Sequence, residues 1–237
     1  MGGVSSSDAA PIRTFHARTG RISRTAAAAL ERRWITHGHT IGSGPLDVAR
    51  LFGREAPLVL EIGAGMGDAT LGMAAADRDR NYLAIDVHTP GLSRLLAIAD
   101  RDGITNIRAA RGDALVLLRD SASIPPASVD AIHIFFPDPW PKARHHKRRM
   151  IQPETVARLR ERLKPGGILH TATDWADYAE QMDEVLSRDP ELVNAFDGPA
   201  PRPDHRPETK YERRGADAGR AIADFIFIRR PTGPSAG

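Results

Sequence analysis

The chain is predicted to fold as an α/β protein, with one mostly parallel sheet carrying helices on both faces. Three observations predict it. From Leu58 onward, short apolar runs alternate with helical patterns, the mark of βαβ units. The first run ends in a glycine-rich turn, Gly63-Ala64-Gly65-Met66-Gly67, which opens into a helical pattern. Carboxylates then recur where successive strands end: Glu61, Asp86, Asp113 and Asp138.

Residues 1–24 mix Gly, Ser, Ala and Arg without a sustained period and read as a mobile basic arm. Its Arg13, Arg18, Arg21 and Arg24 are either phosphate contacts or part of a solvated tail. Residues 25–230 are expected to form a single domain, followed by a tail at 231–237. Thr25 to Trp34 reads as a helix, because Ala26 to Leu30 are strong helix formers and Thr25 suits an N-cap. Strands are expected at Leu58–Ile62, Tyr82–Ile85, Ile107–Ala110, Ala131–Phe135, Ile168–Thr171 and Asp224–Ile228. Helical patterns fill the gaps at Asp68–Ala75, Gly91–Asp100, Ala114–Leu118, Gln152–Leu163 and Trp175–Ser187. Lys164-Pro165-Gly166-Gly167 should stop a helix and turn tightly into the next strand. Gly198 to Pro207, with prolines at 199, 201, 203 and 207, reads as an extended loop or as a lid.

Composition narrows the function classes. The chain of 237 residues holds no cysteine, which removes disulfides, thiolate metal sites and a cysteine nucleophile. A net charge of +3 is too small to imply nucleic acid by itself, so local clustering must carry that argument. No segment approaches the roughly 18 apolar residues of a membrane span, and Met1 to Arg24 lacks the apolar core of a signal peptide. A soluble cytoplasmic protein without membrane contact is expected. Histidines pair closely only at His37-Gly38-His39 and His145-His146, without a carboxylate at ligand spacing, so no metal is expected in this chain.

The glycine turn lets a ligand approach the backbone, though such turns serve nucleotides, dinucleotides and plain structure alike. Its spacing, G-x-G-x-G after Glu61, departs from the dinucleotide G-x-G-x-x-G. In an open α/β sheet the carboxyl ends of the strands form one rim where ligands bind. A carboxylate after the second strand, Asp86, can accept both hydroxyls of a ribose, and one after the third, Asp113, an adenine amino group. Acidic groups near the turn suit a sulfonium better than a pyrophosphate, which favours S-adenosyl-L-methionine over NAD.

The most informative run is Phe135-Phe136-Pro137-Asp138-Pro139-Trp140-Pro141-Lys142, followed by Ala143-Arg144-His145-His146-Lys147-Arg148-Arg149. It places a carboxylate in a proline-stiffened turn at a strand end. Five cationic residues and two histidines follow between Lys142 and Arg149, which suits a polyanion. Trp140 either stacks on a nucleobase or packs beside the prolines.

With these residues in view, the chain resembles the bacterial tRNA (guanine-N7-)-methyltransferases of the TrmB type. The resemblance rests on Leu60-Glu61-Ile62-Gly63-x-Gly65-Met66-Gly67, Asp86-Val87-His88-Thr89-Pro90-Gly91, the Pro137-Asp138-Pro139-Trp140 run with its basic tail, Thr173-Asp174-Trp175 and Thr209-Lys210-Tyr211-Glu212. It implies a Rossmann-like class I methyltransferase with a mostly parallel seven-stranded sheet. The implied reaction moves a methyl group from S-adenosyl-L-methionine to the variable-loop guanine at tRNA position 46, forming 7-methylguanosine. By resemblance Glu61, Gly63, Gly65, Gly67, Asp86, Asp113 and Asp138 hold the cofactor, and Asp138 also takes the catalytic position. Lys142, Asp174, Thr209, Lys210, Tyr211 and Glu212 hold the substrate, and Arg144, His145, His146, Lys147, Arg148 and Arg149 meet RNA. The family usually has Glu at position 86, Phe at 211 and often Asn at 146. The partner implied is tRNA, with no obligatory protein partner, in a monomer or homodimer. Competing readings are an NAD-dependent oxidoreductase, a noncatalytic RNA-binding protein, and a methyltransferase of proteins or small amines.

Overall fold

The structure, a computed structural model, describes residues 14–15, 24–208, 212–213 and 219–231. The remainder of the expected N-terminal arm, the segment 209–211 and the tail beyond 231 lie outside the described residues. Eight strands form one sheet: β1 Gly38–Thr40, β2 Leu58–Ile62, β3 Asn81–Asp86, β4 Ile107–Arg111, β5 Val129–Phe135, β6 Leu163–Thr173, β7 Leu192–Asn194 and β8 Ala223–Arg229. Their order is β1-β4-β3-β2-β5-β6-β8-β7. Pairing is parallel from β1 through β6, and β8 runs antiparallel to both β6 and β7.

The six strands read from sequence are all present, and the sheet extends beyond them at both edges. β1 and β7 have three residues each, too few to show an apolar period. Lys164-Pro165-Gly166-Gly167 differs from the tight turn expected. It lies inside β6 as an outward bulge, since Val129 pairs with Leu163 while Ala131 pairs with Ile168.

Among the described residues, seven α-helices of five residues or more cover the sheet: α1 Arg24–His37, α2 Val48–Phe52, α3 Asp68–Ala76, α4 Thr89–Arg101, α5 Ala114–Arg119, α6 Pro153–Arg162 and α7 Ala176–Ser187. Strand alternation divides the core in two. Leu60, Ile62, Leu83, Ile85, Ile132, Ile134 and Phe225 pack beneath α2, α5, α6 and α7. Val59, Tyr82, Ala84, Ala131, Phe135 and Ala172 pack on the other face with α1, α3 and α4. Each residue shift of one along a strand changes its face, so Glu61, His133, His170 and Asp224 share the α1/α3/α4 face. No helix among the described residues is long and apolar enough to cross a membrane.

Candidate active site

The strand order reverses at β2, which has β3 on one side and β5 on the other. Connections leave in opposite directions there and open a crevice above the carboxyl ends. A cleft of about 470 Å³ occupies that place, lined by the glycine turn, Glu61, Asp86, Asp113, Asp138 and Asp174. Thr14 and Phe15 also line it. The four carboxylates expected on one rim therefore surround one cavity, of a size suited to a small organic ligand.

The glycines divide by role. Gly63 and Gly65 adopt φ of 82° and 58°, where an L side chain is strained, and both line the cleft. A Cβ added at Gly63 would meet no protein atom within 4 Å, so packing does not require glycine there, whereas its positive φ does. Gly67 is a correction to the expected cofactor set. It does not line the cleft, and a Cβ there would stand 2.6 Å from the Leu95 side chain, so it serves the packing of α3 on α4. Gly91, which the resemblance included without a role, lets α4 meet the turn: a Cβ there would fall 1.7 Å from the Gly65 carbonyl oxygen.

Asp86 braces the turn from the next strand. Its Oδ2 accepts from the Gly65 amide at 2.7 Å and its Oδ1 from the His88 amide at 2.7 Å. Each carboxylate oxygen retains a lone pair for a ribose hydroxyl. The shorter Asp at this position thus holds the turn directly. Asp113 caps α5 by accepting from Leu115 N at 2.9 Å while still facing the cleft. Arg94, not singled out in the sequence, donates to the Met66 carbonyl at 2.6 Å and pairs with Asp68 at 2.8 Å.

Glu61 is buried beneath the turn and accepts a short hydrogen bond from the Thr70 hydroxyl. Burial pushes its carboxyl up to about 7; the Thr70 bond opposes the rise and the Asp86 charge adds to it. An acid whose pKa is raised on folding is stabilising below its unfolded value and loses that contribution as pH climbs through the folded value. The ligand-free protein should therefore lose about 3 kcal/mol from this group between roughly pH 4.5 and 7. Urea unfolding of Glu61→Gln should lack that part of the decline. A bound sulfonium favours the ionised carboxylate, so the affinity of wild type for S-adenosylmethionine should rise across the same window and that of the variant should not.

Asp138 follows β5 on a strained turn. Phe136 and Trp140, at φ of 51° and 46°, bracket it, and they are two of the three non-glycine residues with positive φ among those described. Such strain persists only where the surroundings over-determine it. Trp140 settles on the packing role: it is 5% exposed, donates to the Thr14 carbonyl at 3.1 Å and carries Arg148 over its ring at 4.9 Å.

The basic run forms a short 3₁₀ helix, Ala143–Arg148. Lys142, Arg144 and Lys147 are exposed, and His145, His146 and Arg148 are partly so. Arg149, expected with them against RNA, is a correction. It is 1% exposed and donates to Asp177 of α7 at 2.8 Å, to Gln181 at 2.7 Å and to the Pro139 carbonyl at 2.8 Å. It ties the Asp138 turn to α7 from below.

Asp174 reaches the cleft and pairs with Arg220 at 3.0 Å, a residue that sequence reasoning missed. Helix α7 takes its start from the neighbour instead, with Thr173 Oγ1 accepting from Trp175 N at 3.2 Å. Thr209, Lys210 and Tyr211 lie outside the described residues. Glu212, expected to hold substrate, is buried and accepts from Arg206 at 2.7 and 3.0 Å. Arg206 also donates to Asp224 at 2.8 Å. None of the residues of the segment 198–208 lines the cleft.

A βαβ sheet with a bare glycine turn, a buried glutamate beneath it and carboxylates after β3 and β4 defines a class I S-adenosylmethionine-dependent methyltransferase. The same fold occurs in the 16S rRNA methyltransferase KamB, with TM-score 0.57, 16% identity and coverage of 81% of this chain and 99% of that one. It occurs again in the aminoglycoside resistance methyltransferase NpmB1, with TM-score 0.55, 16% identity and coverage of 81% and 98%. At that identity the likeness concerns the fold alone. A family model described as a putative methyltransferase matches residues 55–225. The chain is 50% identical over 220 residues to the tRNA (guanine-N(7)-)-methyltransferase of Streptomyces avermitilis, covering 92% of this chain and 75% of that protein. It is 49% identical over 220 residues to the Nitrosospira multiformis enzyme of the same name, covering 93% and 95%. The chain belongs to the tRNA (guanine-N7-)-methyltransferase family.

Proposed function

We propose that this chain methylates N7 of the variable-loop guanine of tRNA, with Asp138 positioning the base. Bound S-adenosylmethionine supplies a methyl group on a cationic sulfur. The observation that carries the reading is Asp138 on a strained turn between the acidic cleft and the exposed cations Lys142, Arg144 and Lys147.

Guanine N7 has a lone pair and no proton at neutral pH, so it needs no general base. Alignment of the attacking atom therefore dominates, and positioning of this kind can lower a barrier by several kcal/mol. As the purine gains positive charge, a carboxylate fixed beside it stabilises that charge without reorganising. Asp138 is assigned that role. Asp86 and Asp113 are assigned the ribose and adenine, and Glu61 braces the turn and favours a cationic ligand. The experiment that tests the substrate is methyl transfer to unmodified tRNA transcripts with and without the variable-loop guanine. Replacing that guanine by adenine should abolish acceptance; undiminished acceptance would overturn the assignment.

The exposed cations carry a second expectation. Each phosphate neutralised releases counterions, so binding weakens with salt in proportion to the contacts made. Lys142→Ala, Arg144→Ala and Lys147→Ala should each weaken tRNA binding and reduce the slope of log K against log salt by about 1. Arg149→Lys, which alters a buried group, should leave that slope unchanged. Filter binding over a salt series reads both.

A further inference from the structure

Three histidines far apart in the chain converge on the α1/α3/α4 face of the sheet, outside the cleft. His133 comes from β5, His170 from β6 and His205 from the segment 198–208. Each offers one ring nitrogen, and the three nitrogens lie within 4.8 Å of one another. The ring centroids are 5.8 Å apart for His133 and His170, 6.0 Å for His133 and His205, and 5.6 Å for His170 and His205. Three imidazoles around a tetrahedral ion, with metal–nitrogen bonds of about 2.0–2.1 Å, have centroids roughly 5 Å apart. A shift of about 1 Å closes the difference. His205 is exposed and can supply its own share, while the share between His133 and His170 falls to two buried rings on neighbouring strands.

A packing role leaves two nitrogens unexplained. The Nδ1 atoms of His133 and His170 are buried and have no hydrogen-bond partner among the described residues. Buried polar atoms without partners are costly, and each calls for an explanation. A neighbour orients the His170 ring. Its Nε2 lies 2.7 Å from Asp224 Oδ1, and a carboxylate only accepts, so Nε2 carries a proton and Nδ1 of the neutral ring presents a lone pair. A carboxylate behind an imidazole is the outer-shell arrangement that orients a metal ligand.

The charges nearby are balanced. Arg206 is answered by two carboxylates, Glu212 and Asp224, and Arg202 lies 3.9 Å from Glu212, so the group carries no net positive charge against an ion. The other cation acting on His133 and His205 is Arg80, which pairs with Asp77 at 3.0 Å.

We propose that His133, His170 and His205 bind one first-row transition-metal ion of the zinc type, with solvent in the remaining position, fastening the segment 198–208 to the sheet. Imidazole is a ligand that such ions favour, and the set lacks the oxygen donors that magnesium or calcium require. His205 stands four residues before Thr209, so the ion would tether the segment leading into Thr209-Lys210-Tyr211-Glu212. The sequence could not disclose it, because the histidines it brought together were the neighbours at 37 and 39 and at 145 and 146.

The test uses the full chain without an affinity tag, stripped with a chelator and titrated with Zn²⁺ and with Co²⁺. One equivalent of Zn²⁺ should be retained after gel filtration, and it should raise Tm by several degrees and slow proteolysis within 198–208. Co²⁺ should give the visible bands of a tetrahedral site. His205→Ala, at an exposed ring, should remove all of these, and the double variant His37→Ala/His39→Ala should keep them. No retained ion, or retention unchanged by His205→Ala, would overturn the proposal, as would loss of retention in His37→Ala/His39→Ala alone.

Discussion

Asp138→Asn is expected to lower turnover on tRNA by about 10²–10³-fold, the range seen when one preorganised group aimed at developing charge is removed. Asn keeps the shape of the side chain and its ability to accept one hydrogen bond, but loses the negative charge. The strained turn is held from elsewhere, by Trp140 packed under Arg148 and by Arg149 donating to the Pro139 carbonyl, so the fold should survive. S-adenosylhomocysteine binding, which the proposal assigns also to Glu61, Asp86 and Asp113, should change much less than turnover. Because no proton leaves N7, the solvent isotope effect on methyl transfer should be close to one in both proteins. Turnover within a few-fold of wild type would remove Asp138 from the mechanism.

The largest stability effect is expected at Arg206, which does not itself line the cleft. Its side chain is fully buried, with Glu212 and Asp224 as its partners, and its planar head lies 5.7 Å from the ring centres of both Phe135 and Phe136. Burial alone would raise the Asp224 carboxyl, yet bonds from His170 and Arg206 and the Arg206 charge hold it below the usual range. Arg206→Met keeps much of the packing but strands two buried carboxylates. Breaking a buried pair this way costs about 3–5 kcal/mol. Without the guanidinium, burial of the Asp224 carboxyl would be less opposed in the folded variant, and its pKa would move upward. The deficit relative to wild type should thus be full at neutral pH and shrink as pH falls toward the carboxylate range. Urea unfolding at several pH values measures it. A loss below about 1 kcal/mol, or a gap that does not narrow in acid, would show that the network contributes little.

What was legible in the sequence follows from how each feature is encoded. Buried strands such as Leu58–Ile62 and Ala131–Phe135 announce themselves as apolar runs, and chain order in a βαβ fold places their carboxyl ends together. Hence Glu61, Asp86, Asp113 and Asp138 could be assigned to one rim before any coordinates. Two three-residue edge strands and the five-residue α2 carry no period to detect. The basic run shows a different limit: composition places Arg149 among surface cations, but its fate depends on Asp177 and Gln181, 28 and 32 residues away. Gly67 likewise looks like its neighbours in the turn, and only Leu95 from α4 shows that it serves packing. Arg206 and the three histidines form contacts between the sheet and an irregular segment, where no periodicity guides a reader.

The central claim is that this chain places a methyl group on N7 of a tRNA guanine. Its most direct test is incubation of the protein with labelled S-adenosylmethionine and unmodified tRNA, followed by digestion and separation of the nucleosides. Label confined to 7-methylguanosine is the result predicted here; label in another nucleoside alone, or none in tRNA, would contradict it.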